Sequence, residues 1–180
     1  MTAMAAPVFL TGFMGVGKSK VGLILAQRLG RFFFDTDQMV ELRAGKSISE
    51  IFADEGEAHF RRLEHQCVRE TSDRSDVVVA LGGGAITRLE NVERVRRKGV
   101  LVCLEADIDT IFARVDRRDD RPLLAGLAPE EKRAKIERML EERAPFYDQA
   151  DIKLRTREAQ TPQDTAQQLI QLLEHWHAPN

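Results

Sequence analysis

Val8-Phe-Leu-Thr-Gly-Phe-Met-Gly-Val-Gly-Lys-Ser19 is an apolar segment followed by a glycine-rich loop that satisfies the pattern G-x-x-x-x-G-K-[ST]. Behind the loop, apolar residues recur at helical spacing, at Val21, Ile24, Leu25 and Leu29. Glycines allow backbone N–H groups to turn inward around phosphate oxygens, and the helix N-terminus adds its positive dipole end. A strand, a glycine loop and a helix in this order are typical of a phosphate site. The stretch predicts binding of a nucleoside triphosphate; the alternative is a glycine-rich turn with a surface lysine.

Two side chains of this loop have specific expected roles. Lys18 is expected to reach the β- and γ-phosphates and to act in catalysis, and the Ser19 hydroxyl is expected to ligate Mg²⁺. The predicted nucleotide-binding residues of the loop are Gly12, Gly15, Val16, Gly17, Lys18, Ser19 and Lys20.

The composition indicates one domain, residues 1–180, with 43% hydrophobic and 31% charged residues and enough length for a sizeable core. The net charge of −2 gives no indication of a nucleic-acid or membrane surface. Cys67 and Cys103 stand far apart, which is typical of buried residues in a reducing compartment. No apolar run is long enough to span a membrane, and residues 1–7 lack the features of a signal peptide. We expect a cytoplasmic monomer without a nucleic-acid or membrane partner.

Short β-rich runs alternate with helical patterns along the chain, which predicts an α/β fold with a parallel sheet covered on both faces. The five predicted strands begin at Val8, Phe32, Val77, Val100 and Ile152. Local signals mark several helix ends. They are a stop at Gly30, a capping box at Ser47 and Glu50, a break at Gly56, and a helix that begins at Pro129 and runs through Leu140.

Helical periodicity is lost from Asp116 onward, in a highly charged run that ends at Gly126. Loops of this length inside a domain are often lids or binding loops. We expect a mobile lid at approximately residues 116–127.

Asp35-Thr36-Asp37 directly follows the second strand, at the edge of the sheet where ligands of open α/β folds lie. One carboxylate could help to hold hydrated Mg²⁺ while the other accepts a hydroxyl proton. The alternative is that Asp37 only caps a helix that begins near Gln38. The residues alone leave both interpretations open.

Gly82-Gly83-Gly84 follows the third strand, and without side chains it would let a ligand touch the backbone; the alternative is a flexible turn. Arg61 and Arg143 are candidate ligands of an acidic acceptor, because arginine binds carboxylates with two parallel hydrogen bonds. Taken alone, each arginine is more often a solvated helix charge.

Taken together, six motifs resemble the shikimate kinase family. They are Gly12-Phe-Met-Gly-Val-Gly-Lys-Ser19, Phe34-Asp-Thr-Asp37, Gly56-Glu-Ala-His-Phe-Arg-Arg-Leu-Glu64, Leu81-Gly-Gly-Gly-Ala85, Arg121-Pro-Leu-Leu-Ala-Gly126 and Arg143-Ala-Pro-Phe-Tyr147. They occur in the order of the family, and the joint match is far more specific than any one motif.

The resemblance implies an adenylate-kinase-like P-loop kinase fold with five parallel strands. It also implies transfer of the ATP γ-phosphoryl group to the 3-hydroxyl of shikimate, in the biosynthesis of chorismate and aromatic amino acids. By position, Arg61 and Arg143 would hold the shikimate carboxylate. Asp37 and the glycines at 82–84 would bind its ring hydroxyls, with Asp37 as the candidate base. Asp35 would contact Mg²⁺ through water, and Arg121 would reach the phosphates from the lid.

The resemblance also places Arg114, Gln160 and Pro162 near adenine. Two features depart from the family. Lys20 replaces the usual threonine or serine, which puts a hydroxyl contact to the α-phosphate in doubt. The strand before Gly82 has no Walker B aspartate, so Asp35 would make more of the contacts to the water ligands around Mg²⁺. Two alternatives are another small-molecule kinase of this fold, acting on gluconate or a nucleoside monophosphate, and a non-catalytic nucleotide-binding regulator.

Overall fold

A sheet of five parallel strands organises the computed structural model, which describes residues 6–116, 122–157 and 160–176. The strands are β1 (Val8–Thr11), β2 (Phe32–Asp35), β3 (Val77–Ala80), β4 (Val100–Glu105) and β5 (Ile152–Arg155). Their order across the sheet is β2-β3-β1-β4-β5, and each neighbouring pair is parallel. The predicted five-stranded parallel sheet is confirmed.

Helices cover both faces of this sheet. They are α1 (Lys18–Leu29), α2 (Thr36–Ala44), α3 (Ile48–Glu55), α4 (Glu57–Ser72), α5 (Leu89–Lys98), α6 (Ile108–Asp116), α7 (Pro129–Tyr147) and α8 (Pro162–Glu174). Two short 3₁₀ helices are added at Ala85–Thr87 and Pro122–Leu124. None of the helices in the described ranges has the length and apolar character needed to cross a bilayer.

The central strands β3, β1 and β4 are mostly apolar because helices bury both of their faces. Alternate residues of β1 point to opposite sides. Val8 and Leu10 pack in a buried cluster with α1, α6, α7 and α8, whereas Phe9 packs in a second cluster with α4 and α5. A third, smaller cluster joins α2, α3 and α4 through Val40, Ile51, Phe60 and Cys67. This third cluster supports the helices that carry Asp37 and Arg61.

Several local predictions are confirmed because the signals that gave them act within a few residues. Gly30 ends α1 in the left-handed conformation, with a φ of 64°. Ser47 and Glu50 form the reciprocal capping box at the start of α3. Gly56, with a φ of 80°, separates α3 from α4. Both cysteines are buried and free, and burial raises the pKa of the Cys103 thiol to about 12.

Helix α7 extends beyond the predicted end at Leu140 and continues through Pro145 to Tyr147. Pro145 lacks the N–H that would donate to the Glu141 carbonyl, so the last turn loses one hydrogen bond, but the chain stays helical and the Asp148 N–H still donates to the Ala144 carbonyl at 2.9 Å. The longer helix places Arg143 and Tyr147 on one rigid element.

The predicted lid is only partly within the described residues. Asp116 ends α6, and Pro122–Leu124 forms a 3₁₀ helix that contacts α3 and buries Leu124. Residues 117–121, which include Arg121, lie outside the described residues.

Candidate active site

Three of the predicted segments meet at one edge of the sheet because β2, β3 and β1 are neighbours whose carboxyl ends point the same way. Asp35 of β2 and Leu10 of β1 both lie opposite Ala80 of β3. The phosphate loop at residues 12–19, the segment 35–37 and the glycine loop Gly82–Gly84 are therefore side by side.

The phosphate loop has a backbone that only glycine adopts easily. Gly12, Gly15 and Gly17 have φ values of 134°, 81° and 100°, and a Cβ on Gly12 would overlap the Leu104 carbonyl oxygen. Lys18 Nζ donates to the carbonyls of Gly12 at 2.8 Å and Phe13 at 3.0 Å. The loop thus combines a helix N-terminus with a cation held over it, which favours an anion.

Ser19 and Asp35 form the candidate metal-binding pair. Ser19 Oγ donates to Asp35 Oδ2 at 2.5 Å, while Asp35 Oδ1 accepts from the backbone N–H groups of Asp37 at 3.0 Å and Gln38 at 3.3 Å. Asp35 is therefore the N-cap of α2, and the interpretation of Asp37 as that cap is wrong. The reason is that α2 begins at Thr36, directly after the strand, rather than near Gln38.

A metal ion at Ser19 and Asp35 would need further ligands. Within the described ranges, no cluster of three or more His, Cys, Asp or Glu side chains could hold a metal. Oxygen donors from a hydroxyl and a carboxylate match the preference of Mg²⁺, which usually takes one or two protein ligands together with substrate phosphates and water.

A cavity of about 530 Å³ lies over the phosphate loop and is called the nucleotide cavity below. Its lining includes the predicted residues Gly15, Val16, Gly17, Lys18, Ser19, Lys20, Arg114, Gln160 and Pro162. Arg114 also donates to the Gly15 carbonyl at 3.1 Å and so links α6 to the loop. Gly12 lies behind the lining and contributes its carbonyl to Lys18. The buried Thr156 and Thr165 line the cavity as well, which the sequence did not predict.

A second cavity of about 410 Å³, called the acceptor cavity below, lies between the glycine loop, α2, α4 and α7. Its lining includes the predicted residues Asp37, Arg61, Gly83, Gly84 and Arg143. Gly82, which was also predicted to contact the ligand, is not part of this lining. It is buried behind the cavity, where a Cβ would overlap Glu64 Oε1 and lie 2.6 Å from Asp37 Oδ1.

The two cavities share Met14, Ser19, Lys20, Asp35, Asp37 and Gly83 in their linings. They therefore meet beside the candidate metal ligands and Asp37. A group bound by the phosphate loop and a second molecule in the acceptor cavity would face each other at this junction.

Arg61 closes one side of the acceptor cavity. It donates to Glu64 Oε2 at 2.8 Å and to Glu57 Oε1 at 3.1 Å, and its guanidinium stacks on the Phe60 ring. A Cβ on Gly84 would lie 2.7 Å from two Arg61 nitrogens, so a side chain at this position would displace the Arg61 guanidinium. Burial lowers the pKa of Arg61, but the carboxylates of Glu64 and Glu57 reverse this and leave the pKa raised.

Arg143 and Tyr147 approach the glycine loop from α7. Arg143 Nη1 donates to the Gly83 carbonyl at 3.0 Å, and Tyr147 Oη donates to the same oxygen at 3.1 Å. Arg143 is 8% exposed and lies over the Phe13 ring. Two guanidinium groups, each held against one residue of the glycine loop, thus line one small polar cavity, an arrangement suited to an acidic ligand.

A protein-family model described as shikimate kinase matches residues 14–174. The chain belongs to the shikimate kinase family.

Individual members of the shikimate kinase family are similar over nearly the whole chain. The shikimate kinase of Thermodesulfovibrio yellowstonii is 39% identical over 163 residues, 91% of this chain and 92% of that protein. The shikimate kinase of Chromobacterium violaceum is 41% identical over 174 residues, 96% of this chain and 88% of that protein. The structure of shikimate kinase from Acinetobacter baumannii in complex with shikimate has a TM-score of 0.89 at 36% identity, with 94% of this chain and 93% of that chain covered. This similarity shows that the chain has the P-loop kinase fold.

Glu64 belongs to the motif that carried the resemblance to shikimate kinases, but the sequence assigned it no role. It is 2% exposed and lines the acceptor cavity. Its Oε2 accepts from Arg61, and its Oε1 has no hydrogen-bond partner among the described residues. Burial raises the pKa of Glu64, with Asp37 adding to the effect and Arg61 opposing it. Its spacing three residues after Arg61 on a helix was the available signal.

Proposed function

We propose that this chain transfers the γ-phosphoryl group of ATP to the 3-hydroxyl of shikimate and forms shikimate 3-phosphate, a step towards chorismate and the aromatic amino acids. One observation carries the proposal. The nucleotide and acceptor cavities meet at Asp37, and both Arg61 and Arg143 line the acceptor cavity, in a chain of the shikimate kinase family.

The nucleotide cavity would hold ATP with its phosphates at the glycine loop of residues 12–19. The N–H groups of this loop and Lys18 would contact the phosphates, since Lys18 already lies over the loop. Arg114, Gln160 and Pro162 line the other part of the cavity and would flank the adenine. Lys20 lines both cavities and would add positive charge near the phosphates.

Ser19 and Asp35 would hold Mg²⁺, Ser19 directly and Asp35 through water. Their pairing at 2.5 Å and their oxygen donors fit this ion. When bound, the ion neutralises charge on the phosphate oxygens. Asp35 keeps its orientation because two backbone N–H groups bind its other oxygen.

In the acceptor cavity, Arg61 and Arg143 would bind the shikimate carboxylate. The N–H groups of Gly83 and Gly84 would meet ring hydroxyls, since both residues line the cavity. Gly82 would contribute by its lack of a side chain, which leaves room for Asp37 and Glu64 behind the loop. A small acid with several hydroxyls matches this combination of cations and backbone donors.

Asp37 would orient the attacking hydroxyl and accept its proton. It lies at the junction of the cavities and, unlike Asp35, does not cap α2. Phosphoryl transfer depends mainly on the positions of the two reactants and on nearby positive charge. Lys18 would supply positive charge at the phosphates, and Asp37 would position the attacking hydroxyl.

Residues 116–127 remain the proposed lid of a single-domain enzyme, with Arg121 reaching the phosphates. Pro122 and Leu123 line the acceptor cavity, which supports a role for this segment in covering the acceptor. The proposal for Arg121 rests on the sequence motif alone. We further propose that the protein acts as a cytoplasmic monomer.

The test is an acceptor panel. Purified protein with ATP and Mg²⁺ is given shikimate, gluconate or nucleoside monophosphates, and ADP release is followed with a coupled assay. We expect turnover with shikimate only. Turnover with gluconate or a nucleotide would support a different small-molecule kinase, and ATP binding without turnover on any acceptor would support a regulator.

A further inference from the structure

In the proposed function, the glycine loop presents two hydrogen-bond donors, the N–H groups of Gly83 and Gly84, to the acceptor. Gly83 and Gly84 line the acceptor cavity, and their N–H groups make no hydrogen bond to another residue in the described ranges. Glycine has no side chain to restrict its backbone, so a run of three glycines does not hold a direction by itself. Other residues must fix the loop if these two N–H groups are to be preorganised.

Thr36 holds the start of the loop. Its hydroxyl accepts the Gly82 N–H at 2.8 Å in a buried hydrogen bond that joins the first turn of α2 to the end of β3. The side chain is fully buried, although threonine is usually exposed. Thr36 stands between Asp35 and Asp37, so this bond also sets the distance between the aspartates and the glycine loop.

Asn91 holds the end of the loop. Its Nδ2 donates to the Ala85 carbonyl at 2.7 Å, and the Ala85 N–H donates to the Gly82 carbonyl at 3.0 Å. Asn91 Oδ1 lies 2.6 Å from His65 Nδ1. Because Nδ2 is committed to Ala85, Oδ1 must accept, and the proton lies on His65 Nδ1. Asn91 is 1% exposed. Through these two hydrogen bonds it connects α5 to the loop and to α4.

We propose that Thr36 and Asn91 are positioning residues of the acceptor site, which hold the two ends of the glycine loop and so direct the Gly83 and Gly84 N–H groups into the cavity. Arg143 and Tyr147 hold the Gly83 carbonyl between these two points. The Thr36 and Asn91 side chains do not line either cavity. They act through the loop, and this inference rests on the proposed binding of shikimate there.

The decisive experiment compares Thr36→Val with Thr36→Ser. Valine keeps the shape of the side chain but leaves the buried Gly82 N–H without an acceptor, whereas serine keeps the hydroxyl. We expect T36V to raise the KM for shikimate on the order of tenfold and to leave the KM for ATP within about twofold, with T36S close to wild type. Asn91→Asp, which removes the donor to Ala85, is expected to act in the same direction.

Thr71→Val is the matched control. Thr71 is as buried as Thr36 and donates to the Cys67 carbonyl at 2.9 Å, but it lines neither cavity. We expect this control to lower the melting temperature without a change in either KM. A T36V protein that loses stability and keeps its shikimate KM would overturn the proposal.

Amide exchange of the wild-type protein without substrate gives a second measurement that needs neither turnover nor a folded variant. We expect the Gly82 N–H to exchange much more slowly than those of Gly83 and Gly84. Equal exchange rates would overturn the proposal. A wild-type protein that fails to phosphorylate shikimate but shows slow Gly82 exchange would contradict the proposed function and leave the fixed loop supported.

Discussion

Ser19 Oγ donates to Asp35 Oδ2 at 2.5 Å, so the serine of the phosphate loop and the last residue of β2 form one polar pair. The same aspartate caps α2 through its other oxygen. The helix that carries Asp37 is thus anchored to the phosphate loop. This anchor places the proposed metal ligands and the proposed base at one junction between the cavities.

Asp35→Asn should raise the Mg²⁺ concentration needed for half-maximal rate by about tenfold or more, as is typical when a residue that supports a metal is changed. Asparagine is as good an N-cap as aspartate, so α2 should remain intact. The measurement is the initial rate against Mg²⁺ at saturating ATP and shikimate. An unchanged Mg²⁺ requirement would count against the metal role of Asp35.

Asp37→Asn should lower kcat by a factor on the order of 10² or more while ATP and Mg²⁺ still bind, as expected for loss of a positioned base. Since Asp35 caps α2, the melting temperature should change little. Steady-state kinetics and a thermal melt are compared in the same buffer. If the Mg²⁺ requirement moves with Asp37 and not with Asp35, the two roles are reversed.

Arg143→Lys should raise the KM for shikimate by about tenfold or more and leave the KM for ATP unchanged, because lysine keeps the charge but loses the planar fork. Arg133→Lys is the matched control, since Arg133 lies on the same helix and pairs with Asp109 at the surface. The control should leave both KM values unchanged. Equal weakening of both substrates in the Arg143 variant would indicate an effect through folding.

Glu64→Gln tests the buried carboxyl by its pH dependence. Burial raises the pKa of Glu64 in the folded protein above its ordinary value of 4.5. The folded state therefore holds the proton more tightly, and this contribution to stability is present below pH 4.5 and is lost as the pH rises through the raised pKa. The wild-type free energy of unfolding, relative to E64Q, should fall as the pH rises from 4.5. Urea unfolding of both proteins at several pH values measures this difference in the free energy of unfolding. A stability advantage of the wild type over E64Q that grows with pH would show that the ion pair with Arg61 outweighs the effect of burial.

The sequence predicts features whose causes are local. The phosphate loop, the capping box at Ser47 and the stop at Gly30 each depend on residue types within a few positions. The parallel sheet follows from the alternation of strands and helices, and the phosphate loop and the two arginines were found by their motifs. These predictions need no knowledge of which strands are neighbours.

The features that the sequence missed depend on long-range contacts. Thr36 and Gly82 are 46 positions apart, and they meet only because β2 lies beside β3. The sequence left open whether Asp37 caps α2, because the exact start of a helix is hard to predict when it follows a strand directly. The contact of Tyr147 with the glycine loop could not be predicted, because a proline at position 145 normally indicates that a helix ends before residue 147.

The position of the new phosphate ester in the product is the sharpest test of the proposed transfer to the 3-hydroxyl of shikimate. Shikimate, ATP and Mg²⁺ are incubated with the protein, and the product is examined by phosphorus–proton correlation NMR. We predict a phosphate ester coupled to the proton on carbon 3 of shikimate, formed in step with ADP. An ester on another hydroxyl, or ADP formed without any shikimate ester, would contradict it.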